Sequence, residues 1–124
     1  MEKITALELV NATRHPVALL DDRDEPAVTI EPSGHLPRVQ IDRRQVGVVD
    51  VGGVDVPLFE SHAGDVHDLP EPAAGRAIIV SRQVLEACPE RTDLLMVDQT
   101  VLGDDRKIKG AKALTRGEAG PLAL

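Results

Sequence analysis

Apolar residues occur along this chain in short runs that are separated by clusters of turn-forming residues. The first three runs are Ala6–Val10, Val17–Leu20 and Ala27–Ile30. Asn, Thr and Pro between the first two runs favour a turn, because they bond the backbone with their side chains or fix φ. Short apolar runs bounded by such residues are typical of strands. The pattern therefore predicts a meander, in which strands that follow one another in sequence also pair.

The clearest hairpin signal lies in the middle of the chain. Gly52 and Gly53 stand between two valine-rich runs, Val46–Val51 and Val54–Phe59. Two residues that tolerate positive φ between β-branched runs favour a tight turn that joins antiparallel strands. The following stretch, residues 60–68, has no hydrophobic period and many polar residues, so it is predicted to be a loop.

One short helix is predicted directly after a fully apolar strand. Ala77–Val80 is that strand, and Ser81 is a suitable N-cap for a helix over Arg82–Cys88. Its apolar face consists of Val84, Leu85 and Cys88. Because a helix of about two turns is marginal in water, we expect this face to pack on a sheet.

Two further strands complete the predicted elements. Leu94–Val97 is apolar throughout, and residues 107–114 form a return strand after a turn at 103–105. We predict an α+β fold: a mainly antiparallel β-sheet with one short helix packed on it. The chain would be a single β-rich domain over residues 1–116, and residues 117–124, with two glycines and a proline, would be a flexible tail.

Composition narrows the classes of function. The 124 residues carry a formal net charge of −7, and Phe59 is the only Phe, Tyr or Trp. Such a chain is poorly suited to a nucleic-acid polymer or an anionic membrane. Cys88 is the only cysteine, so no internal disulfide can form, and we expect it to pack as a small buried hydrophobe. With no signal-peptide pattern and no long apolar run, a cytoplasmic location is expected.

Side chains that could carry catalysis are few. Four residues of metal-ligand type lie close together in the predicted loop: His62, Asp65, His67 and Asp68. Their spacing matches no known ligand pattern, so solvated loop residues are the favoured interpretation over a metal site. A hydrolytic set of His15 with Ser33 or Ser81 lacks a nucleophile elbow. We expect no enzymatic activity, no metal and no cofactor.

A cationic strip contrasts with the acidic remainder of the chain. Residues 106–116 contain five basic residues and no acid: Arg106, Lys107, Lys109, Lys112 and Arg116. Lys107 and Lys109 would project from one face of a strand, and Arg82 in the helix would add a further positive charge. One interpretation is a solvated basic edge that discourages strand pairing between molecules. The other is a site for the phosphate or carboxylate groups of a small ligand.

Several short motifs resemble those of a family of small phage and bacterial proteins. The family opens with Asn-Leu-Thr-Pro-His, continues with Pro-Pro-Ser-Gly and Val/Ala-Arg-Val, and closes with a hairpin of the type Arg-Asp-x-x-Gly-Arg-Ile-Gly. The matching residues are Asn11, Thr13, His15, Pro16, Pro32-Ser-Gly34, Arg38-Val39, Leu69-Pro-Glu-Pro72, Gly75, Ile79-Val-Ser81, Val84, Ala87, Pro89, Arg91, Asp93-Leu-Leu95, Gly110 and Ala113-Leu114. This chain departs from the pattern at four positions: Ala12, Arg14, Leu102 and Lys112.

The family is similar to the phage Thoeris anti-defence proteins. The resemblance implies an oligomeric, β-rich sponge that sequesters a cyclic nucleotide signal, such as a cyclic ADP-ribose isomer, without cleaving it. A base-stacking ring and arginines for the phosphates are what such a ligand would need, and this chain offers only Phe59, Arg82, Arg106 and Arg116 for those tasks.

Two functions follow as expectations. The first is a non-enzymatic binding protein for a small anionic ligand, a homo-oligomer with no nucleic-acid polymer or membrane as partner. Its ligand-binding residues would be Arg82, Arg106, Lys107, Lys109, Lys112 and Arg116. The alternative is an oligomerising protein–protein interaction module. A concave site with cationic lining indicates the first function, whereas an exposed apolar patch without such a cavity indicates the second.

Overall fold

The computed structural model describes residues 3–5 and 7–122, which are mostly β-structure with one short helix. Ala6, where the first predicted strand begins, and the last two residues of the predicted tail lie outside the described residues. The elements in chain order are β1 (Glu8–Asn11), β2 (Val17–Leu20), β3 (Pro26–Ile30), β4 (Arg38–Val51), β5 (Val54–His67), β6 (Arg76–Ile79), α1 (Arg82–Ala87), β7 (Leu94–Leu102) and β8 (Ile108–Arg116).

Six strands form one mixed sheet in the order β1-β6-β7-β8-β2-β3. The pairs β1–β6, β6–β7 and β2–β8 are parallel, and the pairs β7–β8 and β2–β3 are antiparallel. The prediction of a mainly antiparallel sheet is therefore wrong for this sheet, and β1 does not pair with β2 as the meander required. Apolar runs indicate where strands lie but not which strands pair. Here β1 pairs with β6, which lies far away in sequence.

The sheet curls until its two edge strands meet at Asn11. This last residue of β1 forms an isolated parallel bridge with Pro32, which lies just beyond β3. The main-chain carbonyl of Asn11 accepts hydrogen bonds from the N and the Oγ of Ser33, each at 2.8 Å. Its side-chain Nδ2 donates to the carbonyl of Ile30 at 2.9 Å. The edges of the sheet are thus joined by both the main chain and the side chain of one residue.

The Asn11 amide is buried, with 1% of the residue exposed, and is fully used. Nδ2 donates a second hydrogen bond to the carbonyl of His15 at 2.8 Å. Oδ1 accepts from the backbone N of Thr13 at 2.9 Å and from its Oγ1 at 2.6 Å. Two donors and two acceptor positions are the whole capacity of a side-chain amide. The turn after β1 is therefore held by the same group that joins the sheet edges.

The helix packs on one face of this sheet, as predicted. The Ser81 Oγ accepts a hydrogen bond from the Val84 N at 3.3 Å, which confirms the N-cap, and the helix ends at Ala87. The buried core cluster contains Ala12, Ile78, Val80, Val84, Leu85, Cys88 and Leu94. Burial raises the pKa of the Cys88 thiol, so Cys88 is a neutral packing residue, in agreement with the sequence.

The remaining strands, β4 and β5, form a separate antiparallel hairpin. Gly52 and Gly53 have φ of 59° and 85°, which confirms the predicted turn. Each strand is 14 residues long, however, and β5 continues to His67 through the segment that was predicted to be a loop. That prediction failed because most of the hairpin is exposed on both faces, so hydrophobic alternation does not mark the strand.

A partly buried ion pair secures the segment between the hairpin and β6. The Arg91 guanidinium donates to both carboxylate oxygens of Asp93, at 2.8 and 2.7 Å, and to the carbonyl of Pro70 at 2.9 Å. The hydrogen bond that Arg91 donates to Asp93 is the main cause of a raised pKa of Arg91. The pair therefore attaches the chain before β6 to the start of β7. In residues 3–5 and 7–122, no helix is long and apolar enough to cross a membrane.

The first prediction concerns helix docking. Leu85→Ala removes a side chain that is 8% exposed and leaves a cavity, so it is expected to lower the free energy of unfolding by about 2–4 kcal/mol. The matched control is Leu102→Ala, because Leu102 is 61% exposed and should change stability by less than about 0.5 kcal/mol. Urea unfolding measures both, and equal midpoints for the two variants would contradict the packing described.

The second prediction concerns the junction of the sheet edges. Asn11→Ala removes a buried amide and leaves the carbonyls of His15 and Ile30 without their donor, and we expect a loss of about 2–4 kcal/mol in the free energy of unfolding. Asn11→Asp keeps the shape but cannot donate, so it should be at least as destabilising at neutral pH. A wild-type urea midpoint for Asn11→Asp would show that the donated bonds are dispensable.

Candidate functional site

A pocket of about 470 Å³ opens on the curled sheet and is lined by residues of β2, β6, β7 and β8. We name it the sheet pocket. Its apolar wall includes Val17, Ala18, Ile79, Met96, Val97 and Ile108. Its polar residues are Thr13, His15, Ser81, Arg82, Thr100 and Lys109. An apolar wall with a few polar groups is the usual composition of a small-molecule site.

Strand direction brings the polar residues of the sheet pocket together. Because β1 and β6 are parallel neighbours, their carboxyl-terminal ends lie side by side. Thr13 and His15 follow β1, and Ser81 and Arg82 follow β6. Lys109 belongs to β8 and lines the same pocket. Residues that are far apart in sequence thus line one cavity.

A close approach of β8 to β2 shapes one wall. A Cβ on Gly110 would lie 2.7 Å from the carbonyl oxygen of Ala18 and 2.6 Å from Leu20 Cδ2. Glycine is therefore required here, because neither distance leaves room for a side chain. The two strands share a single register position, at which Leu19 is opposite Ala111. Gly110 thus allows the backbone of β8 itself to form part of the pocket.

The polar side chains of the sheet pocket differ in whether they already have a hydrogen-bond or ion-pair partner within the protein. The Thr13 Oγ1 donates to Asn11, and the Ser81 Oγ caps the helix. Lys109 Nζ lies 3.5 Å from a carboxylate oxygen of Glu25. Arg82 is exposed, and within the described part of the chain no carboxylate oxygen lies within 4 Å of its guanidinium. Arg82 is the cation most available to a ligand.

Only part of the predicted cationic site is assembled. Arg82 and Lys109 both line the sheet pocket. Lys112 lies 2.9 Å from Asp24, and hydrogen bonding to this carboxylate raises the pKa of the lysine. Lys107 precedes β8 and donates its backbone N–H to Asp105, so it does not alternate with Lys109 along a strand.

The two outer arginines of the strip are far apart. Arg106 lies in the turn before β8, and Arg116 is the last residue of β8. A nine-residue strand spans roughly 26 Å at about 3.3 Å per residue. One nucleotide-sized ligand therefore cannot contact both side chains.

Arg116 instead shares a second depression with Arg82, of about 500 Å³, beside the helix. Acidic residues also line it, including Glu86, Asp98 and Glu118. The Thr115 Oγ1 donates to Asp98 at 2.6 Å, which is the main cause of a lowered pKa of Asp98. Since this depression mixes ionised acids with its arginines, it is less suited to an anion than the sheet pocket.

The four residues of metal-ligand type lie on or beside a strand. His62, Asp65 and His67 belong to β5. A register shift in β5 places His62 and His67 on the same face of the hairpin, because they are opposite Asp42 and Arg38. His62 lies 3.0 Å from Glu60, and Asp68 lies 3.1 Å from His35. Among the residues with described positions, no group of three His, Cys, Asp or Glu side chains could hold a metal ion.

The sequence analysis did not predict the apolar wall of the sheet pocket. The feature that could have indicated it is the continuous apolar character of Val17–Leu20 and Ala77–Val80, because strands without polar alternation are covered on both faces. That signal cannot tell a filled face from one that lines a cavity.

Comparisons of this chain with models of known protein families, with curated proteins and with solved structures find no significant match. Any functional argument therefore depends on the geometry of the chain itself.

Proposed function

We propose that the chain is a non-enzymatic binding protein for a small anionic ligand, and that the ligand occupies the sheet pocket. The observation that carries the proposal is that Arg82, which has no carboxylate oxygen within 4 Å among the described residues, lies beside an apolar cavity of about 470 Å³. Small-molecule sites have volumes of roughly 300–1,000 Å³. The pocket thus suits a ligand that joins an apolar or planar body to a negatively charged group.

A cyclic nucleotide is the ligand class that we favour. Its phosphate would accept charge-assisted hydrogen bonds from Arg82, each contributing about 1.5–3 kcal/mol. Its base would lie against aliphatic side chains such as Ile108, and Met96 can contact an aromatic base through its polarizable sulfur. This arrangement replaces the ring stacking that a chain with one Phe and no Tyr or Trp can scarcely supply.

Binding without cleavage is the simpler role for these side chains. The hydroxyls of Thr13 and Ser81 already have structural hydrogen bonds. Cys88 is buried in the core, and its thiol pKa is raised. The pocket therefore offers cationic and apolar contacts in preference to an activated nucleophile.

The third prediction tests the site with defined probes. In isothermal titration calorimetry at low salt, a 3′,5′-cyclic nucleotide or a cyclic ADP-ribose isomer should bind the wild-type chain, and uncharged adenosine should bind much more weakly. Arg82→Gln should weaken binding at least about tenfold, because it removes a charge-assisted hydrogen bond. The matched control is Arg106→Gln in the β7–β8 turn, which should leave the affinity unchanged. No heat with any anionic probe, or equal losses in both variants, would refute the proposal.

The fourth prediction concerns the carboxylate that engages Lys109. Glu25→Gln should strengthen binding of the anionic probe by about two- to fivefold, since an exposed ion pair is worth up to about 1 kcal/mol and its removal leaves Lys109 to the ligand. Glu31→Gln is the control, because Glu31 is exposed and does not line the sheet pocket. If Glu25→Gln weakened binding, Lys109 would have no part in the site.

A further inference from the structure

Two cavities of the protein meet at a pair of side chains. Arg82 and Met96 line the sheet pocket, and both also line the depression of about 500 Å³ beside the helix, which we name the helix-side depression. A phosphate that Arg82 binds in the sheet pocket therefore lies at the border of the helix-side depression. The part of the ligand that is attached to this phosphate can extend into the second cavity.

One acid of the helix-side depression, Asp98, is held in place by the protein. Its Oδ2 accepts a hydrogen bond from the Thr115 Oγ1 at 2.6 Å, and its Oδ1 accepts one from the backbone N of Gln99 at 2.7 Å. Each oxygen of a carboxylate can accept about two hydrogen bonds, so each oxygen of Asp98 keeps one position for another donor. Asp98 is exposed, and a ligand in the depression can reach these positions.

The backbone next to Asp98 has an unfavourable conformation. Gln99 has φ of 50° within β7, whereas the other described non-glycine residues with positive φ lie outside the strands. Side chains other than glycine disfavour this conformation, and residues strained in this way are concentrated at functional sites. Here the strained residue separates Asp98, which lines the helix-side depression, from Thr100, which lines the sheet pocket. The strain thus lies where the two cavities meet.

Arg82 and Asp98 lie near each other without forming an ion pair. The hydrogen bond from Thr115 is the main cause of the lowered pKa of Asp98, and the positive charge of Arg82 also contributes to it. No oxygen of Asp98, however, lies within 4 Å of the Arg82 guanidinium. Opposite charges that are close but not in contact leave room for a ligand that bonds with both. Such a ligand has to offer an anion to Arg82 and a hydrogen-bond donor to Asp98.

We propose that the helix-side depression is the sugar subsite of the nucleotide site, in which Asp98 accepts a hydrogen bond from a ribose hydroxyl while Arg82 binds the phosphate. The subsite rests on the proposed function, since it requires the phosphate on Arg82. In a 3′,5′-cyclic nucleotide the 2′-hydroxyl is attached to the carbon next to one that carries the phosphate, so the two recognised groups are neighbours. Acidic side chains bind ribose hydroxyls in this way in dinucleotide-binding folds. The site therefore selects ribonucleotides over 2′-deoxyribonucleotides.

Removing the 2′-hydroxyl from the ligand tests the subsite directly. In isothermal titration calorimetry at low salt, the wild-type chain should bind 3′,5′-cyclic AMP at least about tenfold more tightly than its 2′-deoxy analogue, because the hydroxyl donates to a charged acceptor. Asp98→Ala should reduce this preference to less than about twofold, since it removes the acceptor. The two probes carry the same charge, so any effect of the substitution on phosphate binding cancels in the ratio of their affinities.

Asp105→Ala is the matched control. Asp105 is exposed and accepts a backbone hydrogen bond, from Lys107, but it lines neither cavity, so this variant should keep the wild-type preference. Equal affinities of the wild-type chain for the two probes would overturn the sugar subsite and leave the proposed function standing. A preference that survives in Asp98→Ala would overturn the role of Asp98. Absence of binding for both probes would refute the cyclic-nucleotide ligand and the subsite with it.

Discussion

The buried amide of Asn11 is the constraint on which the rest of the structure depends. It connects the end of β1, the turn that follows and the end of β3, and together with the main chain of the same residue it joins the two edges of the curled sheet. All of its hydrogen-bonding positions are satisfied inside the protein, which is the condition under which a buried polar group is tolerated. The same amide holds Thr13 and His15, two polar residues of the sheet pocket. Fold and candidate site therefore depend on one group.

Local features of the fold were readable from sequence, whereas long-range features were not. Gly52-Gly53 predicted a tight turn because two residues of positive φ suit only a few backbone geometries, and Ser81 predicted a helix start because its hydroxyl can satisfy a free N–H. The parallel pairing of β1 with β6 has no local signature. The length of the β4–β5 hairpin also has no sequence signature, because the half nearer its base carries polar side chains such as Arg44 and Glu60 on strands exposed to water.

The candidate site was partly predictable for a related reason. Sequence identified the cations, and Arg82 and Lys109 lie in one pocket. It did not reveal which cations are paired, because Asp24 and Glu25 reach Lys112 and Lys109 from a loop that lies far away in sequence. The fold therefore divides basic residues that are close in sequence into those that pair with a carboxylate and those that do not. The pocket wall is formed by four strands, so no single segment of the sequence could predict it.

The two sheets differ in the distance along the chain that their pairing spans, and this difference sets an order of folding. The β4–β5 hairpin closes through a two-residue turn, whereas β2 meets β8 only after nearly the entire chain has been made. Contacts between distant segments bear a larger loop-closure cost and form more slowly. We expect the β4–β5 hairpin to form while the curled sheet is still open. Closure of the curled sheet at Asn11 should consequently be a late step of folding.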